Sequence, residues 1–372
     1  MKSDNFGIYV HIPFSISKCN YCSFISFKCE LQNIQKYIDF LCKEIIENAY
    51  LAKDKVVKNI YFGGGTPSCI KDCYINQILT CIKQNYVVDN NAEITIECNP
   101  CTIDTEKLKN YLEFGINRIS FGVQSLNNNQ LKILGRRHTR EVAISAIKMA
   151  KDAGFKNISA DVMIGIPKQT KQDILATAKE LVDLGITHIS TYMLMLEQGT
   201  PLYNMVQNNT LKVADDDECV FMYNCLYEFL KQNGYVRYEI SNYALAGLEC
   251  KNNINYWEMG EYLGFGVSAH SFMAGERFSN GNNLEDYYKR QGKHSEKLTG
   301  LEIIEETIML GLRQAKGISL SNLKTLGYDL LEIKKKEIDE LLKNNIITIN
   351  GDSLSINEEH FGVCSAVILQ LI

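Results

Sequence analysis

An alternation of two hydrophobic periodicities limits the fold of this chain more than any other feature. Short β-branched or alternating runs recur at residues 7–12, 59–62, 93–97, 118–122, 159–165 and 188–193. Each is followed by a stretch of helical periodicity, at 31–50, 71–84, 104–114, 140–153, 171–184 and 216–232. Repeated strand-then-helix units build a parallel sheet, because parallel neighbours need a long crossover and a helix supplies it. A doubly wound open sheet and a partial (β/α)6 TIM-type barrel both satisfy this α/β pattern. The unusual residues favour the barrel, because they fall at strand ends. His11-Ile12-Pro13-Phe14 follows the first strand, Gly63-Gly64-Gly65-Thr66 the second and Gln124 the fourth, while Glu97 ends the third and Asp161 lies on the fifth. In a barrel such ends converge on one mouth.

From Gly300 the pattern changes to helical stretches at 301–314 and 331–344, then runs at 346–349 and 354–356. Asn350-Gly351 between the two runs is a strong hairpin signal, and the whole predicts a small winged-helix-like α+β domain. The expected division is a core barrel at 1–240, a connecting segment at 241–299 and a C-terminal domain at 300–372. Such small domains often bind DNA, but residues 301–372 carry 11 acids against 7 bases, and the whole chain carries 44 against 39, a net charge of −5. That balance gives no field for a phosphate backbone, so no nucleic-acid partner is expected. No window approaches 18 consecutive apolar residues, and the opening MKSDNFGIYV lacks the regions of a signal peptide, so a cytoplasmic location is expected.

The chain holds 13 cysteines without framework spacing, which argues against a disulfide scaffold. Cys42, Cys81, Cys219, Cys225 and Cys364 sit in apolar periodic stretches and are expected in the core. Cys19-Asn20-Tyr21-Cys22 is a CxxC, which spacing alone leaves open between a zinc half-site, a redox pair and part of an iron–sulfur site. Together with Tyr9-Val10-His11-Ile12-Pro13-Phe14 before it and Phe24 after it, this segment resembles the radical S-adenosylmethionine (SAM) signature CxxxCxxC. The first cysteine of that signature would stand at position 15, and the residue there is Ser15. In the signature three thiolates hold three irons of a 4Fe-4S cluster and leave the fourth iron to SAM. A serine hydroxyl is less acidic and harder, and it does not replace a thiolate. Cys19 and Cys22 are therefore the expected metal ligands, with the cluster lost or labile unless Cys29, Cys98 or Cys101 supplies a third thiolate. A zinc-binding module built from Cys19, Cys22, Cys98 and Cys101 is a further reading.

Tyr61-Phe62-Gly63-Gly64-Gly65-Thr66-Pro67-Ser68 lacks both the Walker lysine and the Rossmann spacing, and its glycines suit close backbone approach to a ligand. Further motifs follow in order: Gly122-Val123-Gln124-Ser125, Leu134-Gly135-Arg136-Arg137-His138-Thr139, Asp161 with Gly165-Ile166-Pro167, Glu197-Gln198-Gly199-Thr200-Pro201 and Tyr238-Glu239-Ile240-Ser241-Asn242-Tyr243. Over nearly the whole chain this series resembles the oxygen-independent coproporphyrinogen oxidase family. The resemblance implies SAM contacts from Tyr9, Gly64, Gly65, Thr66, Glu97, Gln124, Arg136 and Asp161, and it assigns Tyr21 to the same cofactor region. Arg136 suits a carboxylate, Glu97 an ammonium, and Asp161 and Gln124 hydroxyls.

Within that family the decarboxylating oxidase has CxxxCxxCxC and a longer N-terminal extension. Phe24 at the last position, and a motif close to the start of the chain, resemble instead the haem chaperone branch. Its haem-binding pattern HNxxYW would read Asn252-Asn253-Ile254-Asn255-Tyr256-Trp257, with Asn252, a poor iron ligand, in place of histidine. The resemblance implies that Tyr256 and Trp257 stack on a porphyrin, and His270 is the first candidate imidazole to replace the missing one. His11 is expected to be structural, and His138, His188, His294 and His360 are assigned no role. The implied function is a haem chaperone that binds haem, SAM and, when fully equipped, a 4Fe-4S cluster. It would pass haem to an acceptor protein, with any membrane contact coming through that acceptor and no catalytic residue assigned. The alternative is an oxygen-independent coproporphyrinogen III oxidase that decarboxylates its substrate by radical chemistry.

Overall fold

The computed structural model describes residues 5–372. Its main sheet has twelve strands. They are β1 Phe6–Ile12, β2 Val56–Gly64, β3 Val87–Cys98, β4 Arg118–Gln124, β5 Asn157–Ile164 and β6 His188–Met193, then β7 Val236–Glu239, β8 Asn242–Ala244, β9 Glu261–Phe265, β10 His270–Met273, β11 Glu276–Ser279 and β12 His294–Lys297. β1 to β6 lie side by side in chain order and all parallel. β9 adds in parallel on the other side of β1, and the antiparallel β8 and β7 extend the sheet beyond β6. The meander β10 to β12 continues antiparallel from β9, so the stretch read as a connecting segment supplies five of the twelve strands. β7 and β12 form the two ends of this order, so the sheet stays open.

The crossover helices are α1 Leu31–Glu47, α2 Asp72–Asn85, α3 Thr105–Phe114, α4 Arg140–Ala153, α5 Lys171–Asp183 and α6 Asp216–Gln232. The side chains of Asp104, Thr139, Thr170 and Asp215 cap α3 to α6, satisfying amide groups that lack helical partners. Helix α1 stops three residues earlier than its periodicity predicts, and a 3-10 turn at Ala49–Ala52 takes over.

Which face the helices cover decides between the two architectures. Side chains alternate across a strand, and ladder partners share a face. On one face Ile8, Val10, Ile60, Phe62, Ile96 and Phe121 are fully buried. On the other, the matched positions are Tyr9, Tyr61, Glu97, Ser120, Asp161 and Ser190. A doubly wound sheet is apolar on both faces. Here one face is apolar and the other lines a polar lumen, the arrangement of a partial barrel.

A short helix, α7 Lys251–Trp257, closes the floor of that lumen. The Lys251 N–H donates to Glu93 Oε1 at 3.0 Å, and Asn255 Nδ2 donates to the Glu261 carbonyl at 3.2 Å. Beyond β12, helix Gly300–Gly311 precedes a three-stranded sheet in which Ile318–Ser319 pairs with Ser353–Ile356, which pairs in turn with Ile347–Asn350. The helical stretch expected at 331–344 is interrupted at Lys334, giving Leu330–Ile333 and Lys335–Lys343. This part docks firmly on the barrel. The Arg237 guanidinium lies 3.9 Å from the Phe361 ring centroid and 4.2 Å from that of Tyr227, and it donates to the Glu358 carbonyl at 2.8 Å. Its apolar side chains, among them Leu354 and Leu371, belong to the same continuous core as the barrel.

Of the cysteines expected in the core, Cys81 and Cys364 are buried, whereas Cys42, Cys219 and Cys225 are only partly so. Periodicity does not separate the middle of a helix's apolar stripe from its flank, and these three lie on flanks.

Candidate functional site

The lumen gathers residues from successive strands. Tyr9 and Tyr61 stack with ring centroids 6.3 Å apart, and Tyr61 donates to Glu97 Oε1 at 2.8 Å. Ser120 donates to Asp161 Oδ1 at 3.3 Å. Burial and the charge of Asp161 push the Glu97 carboxyl up to about 7, and burial pushes that of Asp161 up to about 6. Tyr192, on the same inward row, keeps 44% of its surface open although it feels both carboxylates, so the lumen is an opening rather than a packed core. Two carboxyls titrating near neutral pH beside an opening are suited to receive a cationic ligand group.

Arg118 enters from below. It is 2% exposed, it faces Cys250, Glu93 and Tyr61, and it draws the Asp161 carboxyl down against the effect of burial. Sequence reasoning passed over it as the first residue of a strand. The available signal was a charge at an inward position of a buried parallel strand, which the packing must pair.

At the mouth, the glycine loop closes onto the segment after β1. The Gly65 and Thr66 amides donate to the carbonyls of Ile12 and Phe14 at 2.9 and 2.8 Å. Gly64 has φ +114°, and a Cβ there would lie 2.7 Å from the His11 imidazole, while one on Gly65 would lie 2.7 Å from the Phe14 carbonyl oxygen. His11 accordingly faces the lumen, with Nδ1 3.1 Å from the Tyr9 hydroxyl, and burial lowers it to about 4, which keeps it neutral. Because the neighbour of Gly65 is backbone, Gly65→Ala is expected to push the two segments apart and to weaken S-adenosylhomocysteine binding at least tenfold with little loss of folding. Calorimetric titration checks this, and an unchanged affinity would detach this loop from the ligand. Gln124 ends β4 with φ +67°, a costly conformation for a non-glycine residue and one found where a site fixes a side chain.

The cysteine loop is pinned at three places. Phe14–Ser15 pairs with Phe27–Lys28 at its neck. The Asn20 N–H and Nδ2 donate to the Leu134 and Ile133 carbonyls, both at 2.9 Å, and the Leu202 N–H donates to the Asn20 carbonyl at 2.8 Å. Arg136 reaches back from the turn after Ile133, donating from Nη1 to Cys19 Sγ at 3.4 Å and from Nη2 to the Gly122 carbonyl, while its Nε has no partner. Tyr21 packs against Leu134, Met163 and Ile166 beside that guanidinium. Ser15 Oγ, where a third thiolate would stand, is 2.9 Å from Thr66 Oγ1.

The three candidate replacements are placed elsewhere. The Cys29 N–H donates to the Ser15 carbonyl at 3.1 Å, but its thiol turns to Cys69. Cys98 is buried next to Ser68, with its thiol pushed up to about 12 by burial, and Cys101 is exposed. Among the described residues no three His, Cys, Asp or Glu side chains gather as a metal site requires, so the four-cysteine zinc arrangement is not formed. The donors therefore fit SAM, with carboxylates, amides and a guanidinium around an opening. They do not fit a cluster that needs three thiolates.

In the segment resembling the haem motif, the residue that stands in place of histidine is buried. Asn252 is 4% exposed and engages the Tyr256 hydroxyl, and the Tyr256 ring packs edge-on to Tyr262 with centroids 4.6 Å apart. Tyr256 belongs to the lumen floor below Tyr9 and Glu97, and the Trp257 carbonyl accepts from Gln314 Nε2 at 3.0 Å. Tyr256 and Trp257 are each partly exposed at the edge of this floor. His270 is exposed on β10, near Arg277 and His294.

Comparison with known proteins fits this geometry. Residues 9–181 match the radical SAM superfamily and residues 298–359 the HemN C-terminal domain. A heme chaperone HemW of Lactococcus lactis is 31% identical over 95% of this chain and 93% of its own length, and one of Haemophilus influenzae is 34% identical over 95% and 94%. The chain belongs to the HemW family. The structure of the coproporphyrinogen III oxidase HemN from Escherichia coli superposes with a TM-score of 0.85 over 98% of this chain and 89% of that one, at 21% identity, which fixes the α/β barrel fold that the HemW family chain shares with it. The radical SAM assignment implies SAM and a 4Fe-4S cluster for the family. In this HemW family chain the first cluster position is a hydroxyl.

Proposed function

We propose that this chain is a haem chaperone that keeps SAM in the barrel lumen and delivers haem to an acceptor protein. Its likeness to HemW proteins along nearly its full length supports the reading. Phe24, where the oxidase pattern has a further cysteine, favours it over the oxidase, and Ser15, whose hydroxyl is turned to Thr66 in a mouth otherwise fitted to SAM, weakens radical chemistry further. When bound, SAM supplies a sulfonium nucleoside with an ammonium and a carboxylate at its methionine end. Glu97 would face the ammonium and Arg136 the carboxylate, with Gly64, Gly65 and Thr66 beside the methionine backbone, and Asp161 and Gln124 would take the hydroxyls. Tyr9 and Tyr61 would wall the lumen against bulk water. Two thiols do not hold a cluster as the three of the signature do. We further take residues 300–372 as a docking domain and the cytoplasm as the location. No described helix is long and apolar enough to cross a membrane.

Anaerobic incubation with coproporphyrinogen III, a strong reductant and SAM tests the reading. It predicts no sustained decarboxylated product, and accumulation of product would favour the oxidase. Haem capture is tested separately by titrating the full chain with haemin and following the Soret band. With Asn252 shut in the floor, His270 is the imidazole near this segment that remains open to haem, and His270→Ala is expected to shift or remove the band. An identical spectrum would exclude that imidazole as a ligand.

A further inference from the structure

A pair of cysteines at the mouth belongs to neither the cluster loop nor the lumen. Cys29 directly follows the short strand that pairs with Phe14–Ser15, and Cys69 ends the 3-10 turn after the glycine loop. The backbone sets both positions, since the Cys29 N–H donates to the Ser15 carbonyl and the Cys69 N–H to the Thr66 carbonyl at 2.9 Å. Ser15 and Thr66 are themselves joined through their hydroxyls. Across this junction Cys29 Sγ lies 3.8 Å from the Cys69 carbonyl oxygen, close enough for the sulfur of Cys29 to act on the Cys69 thiol. Neither is fully buried, and a surface cleft of about 320 Å³, lined by Cys69, Lys71, Asp72, Asp104, Glu106 and Lys107, opens on the Cys69 side.

We propose that Cys29 and Cys69 form a reversible disulfide, with a small disulfide such as oxidised glutathione as the oxidant that meets the partly exposed Cys29 at the surface. The thiolate of Cys29 attacks one sulfur of glutathione disulfide and releases one glutathione thiolate, leaving a mixed disulfide. Cys69 gives up its proton, displaces the second glutathione and closes the Cys29–Cys69 bond. Two protein thiols are oxidised, and one disulfide is reduced to two thiols. Burial and the neighbouring sulfur push the Cys69 thiol up, so the first attack falls to Cys29, and Cys69 reacts second because the sulfur it attacks is then already beside it. Side-chain torsions and a small shift of two loops close the remaining gap, which is easier here than between two helices. The bond would tie the neck of the Cys19–Cys22 loop to the glycine loop and hold the lumen mouth in one arrangement.

The test uses the full-length protein in glutathione buffers of rising oxidised fraction, quenched with an alkylating agent and digested without reduction. Mass spectrometry is expected to show the Cys29 and Cys69 peptides joined, two hydrogens lighter than their sum. Dithiothreitol should separate them, and Cys29→Ser or Cys69→Ser should abolish the joined species. Folded wild-type protein in which both peptides are recovered only as alkylated cysteine or as separate glutathione adducts would overturn the proposal. That readout needs neither haem nor SAM, so it stands apart from the proposed chaperone function.

Discussion

Ser15→Cys, reconstituted anaerobically with ferrous iron and sulfide, is expected to take up about four iron and four sulfide per chain, the content of a full cubane cluster, where the unchanged protein takes up far less. The expectation follows from local construction. The pairing of Phe14–Ser15 with Phe27–Lys28 fixes the backbone at position 15, and the Asn20 contacts fix the loop that carries Cys19 and Cys22. A thiol at position 15 would be presented by a scaffold already in place, at the cost of one hydroxyl contact to Thr66 worth about 1 kcal/mol. Adding Cys29→Ser to that variant should change nothing, because the Cys29 thiol is turned to Cys69. Iron and acid-labile sulfide assays with the charge-transfer absorption band read the result. Full cluster content in the unchanged protein would show that another thiol already serves.

Lumen binding should depend steeply on pH. Glu97 is raised from 4.5 to about 7, first by burial and then by Asp161, and Asp161 is raised from 3.8 to about 6 by burial. An ammonium beside Glu97 needs the carboxylate, so affinity for S-adenosylhomocysteine should rise from pH 5.5 to 8 by up to about tenfold per unit below the carboxyl's pKa, and flatten above it. Stability of the ligand-free protein runs the other way. A carboxyl whose folded pKa is raised holds more protons in the native state. Its contribution is therefore present at low pH and is lost as pH rises from the ordinary carboxylate range through about 7. Glu97→Gln should flatten the binding profile and weaken binding at pH 8 by roughly ten- to a hundredfold, the worth of a charged hydrogen bond of about 1.5–3 kcal/mol. It should leave the native state more stable at high pH than the parent. Titration calorimetry across pH and thermal melts without ligand separate the two effects. A pH-independent affinity in the unchanged protein would remove Glu97 from the ligand.

Much of this site could be read from the chain, because parallel strands alternate strictly. Once Tyr9, Glu97 and Asp161 are placed on strands, their inward parity follows, and the apolar residues between them fix the outward face. The motifs at strand ends then had to meet. What stayed hidden depends on partners far along the chain. Arg118 reads as a strand start until Glu93 and Cys250 are seen around it. The segment at 252–257 reads only as a haem-motif resemblance, and it takes the bonds of α7 to Glu93 and Glu261 to show that it forms a floor in which Asn252 is buried. The meander β10 to β12 was missed because its strands are short and partly exposed and carry little hydrophobic alternation. No spacing rule predicts that Cys29 meets Cys69.

Anaerobic purification of the unchanged chain, with iron, sulfide and haemin uptake quantified and S-adenosylhomocysteine titrated on one sample, tests the central claim most directly. It should yield one S-adenosylhomocysteine site and haem uptake with iron far below four per chain. Four irons and four sulfides per chain with Ser15 in place, or a lumen that binds no S-adenosylhomocysteine, would contradict it.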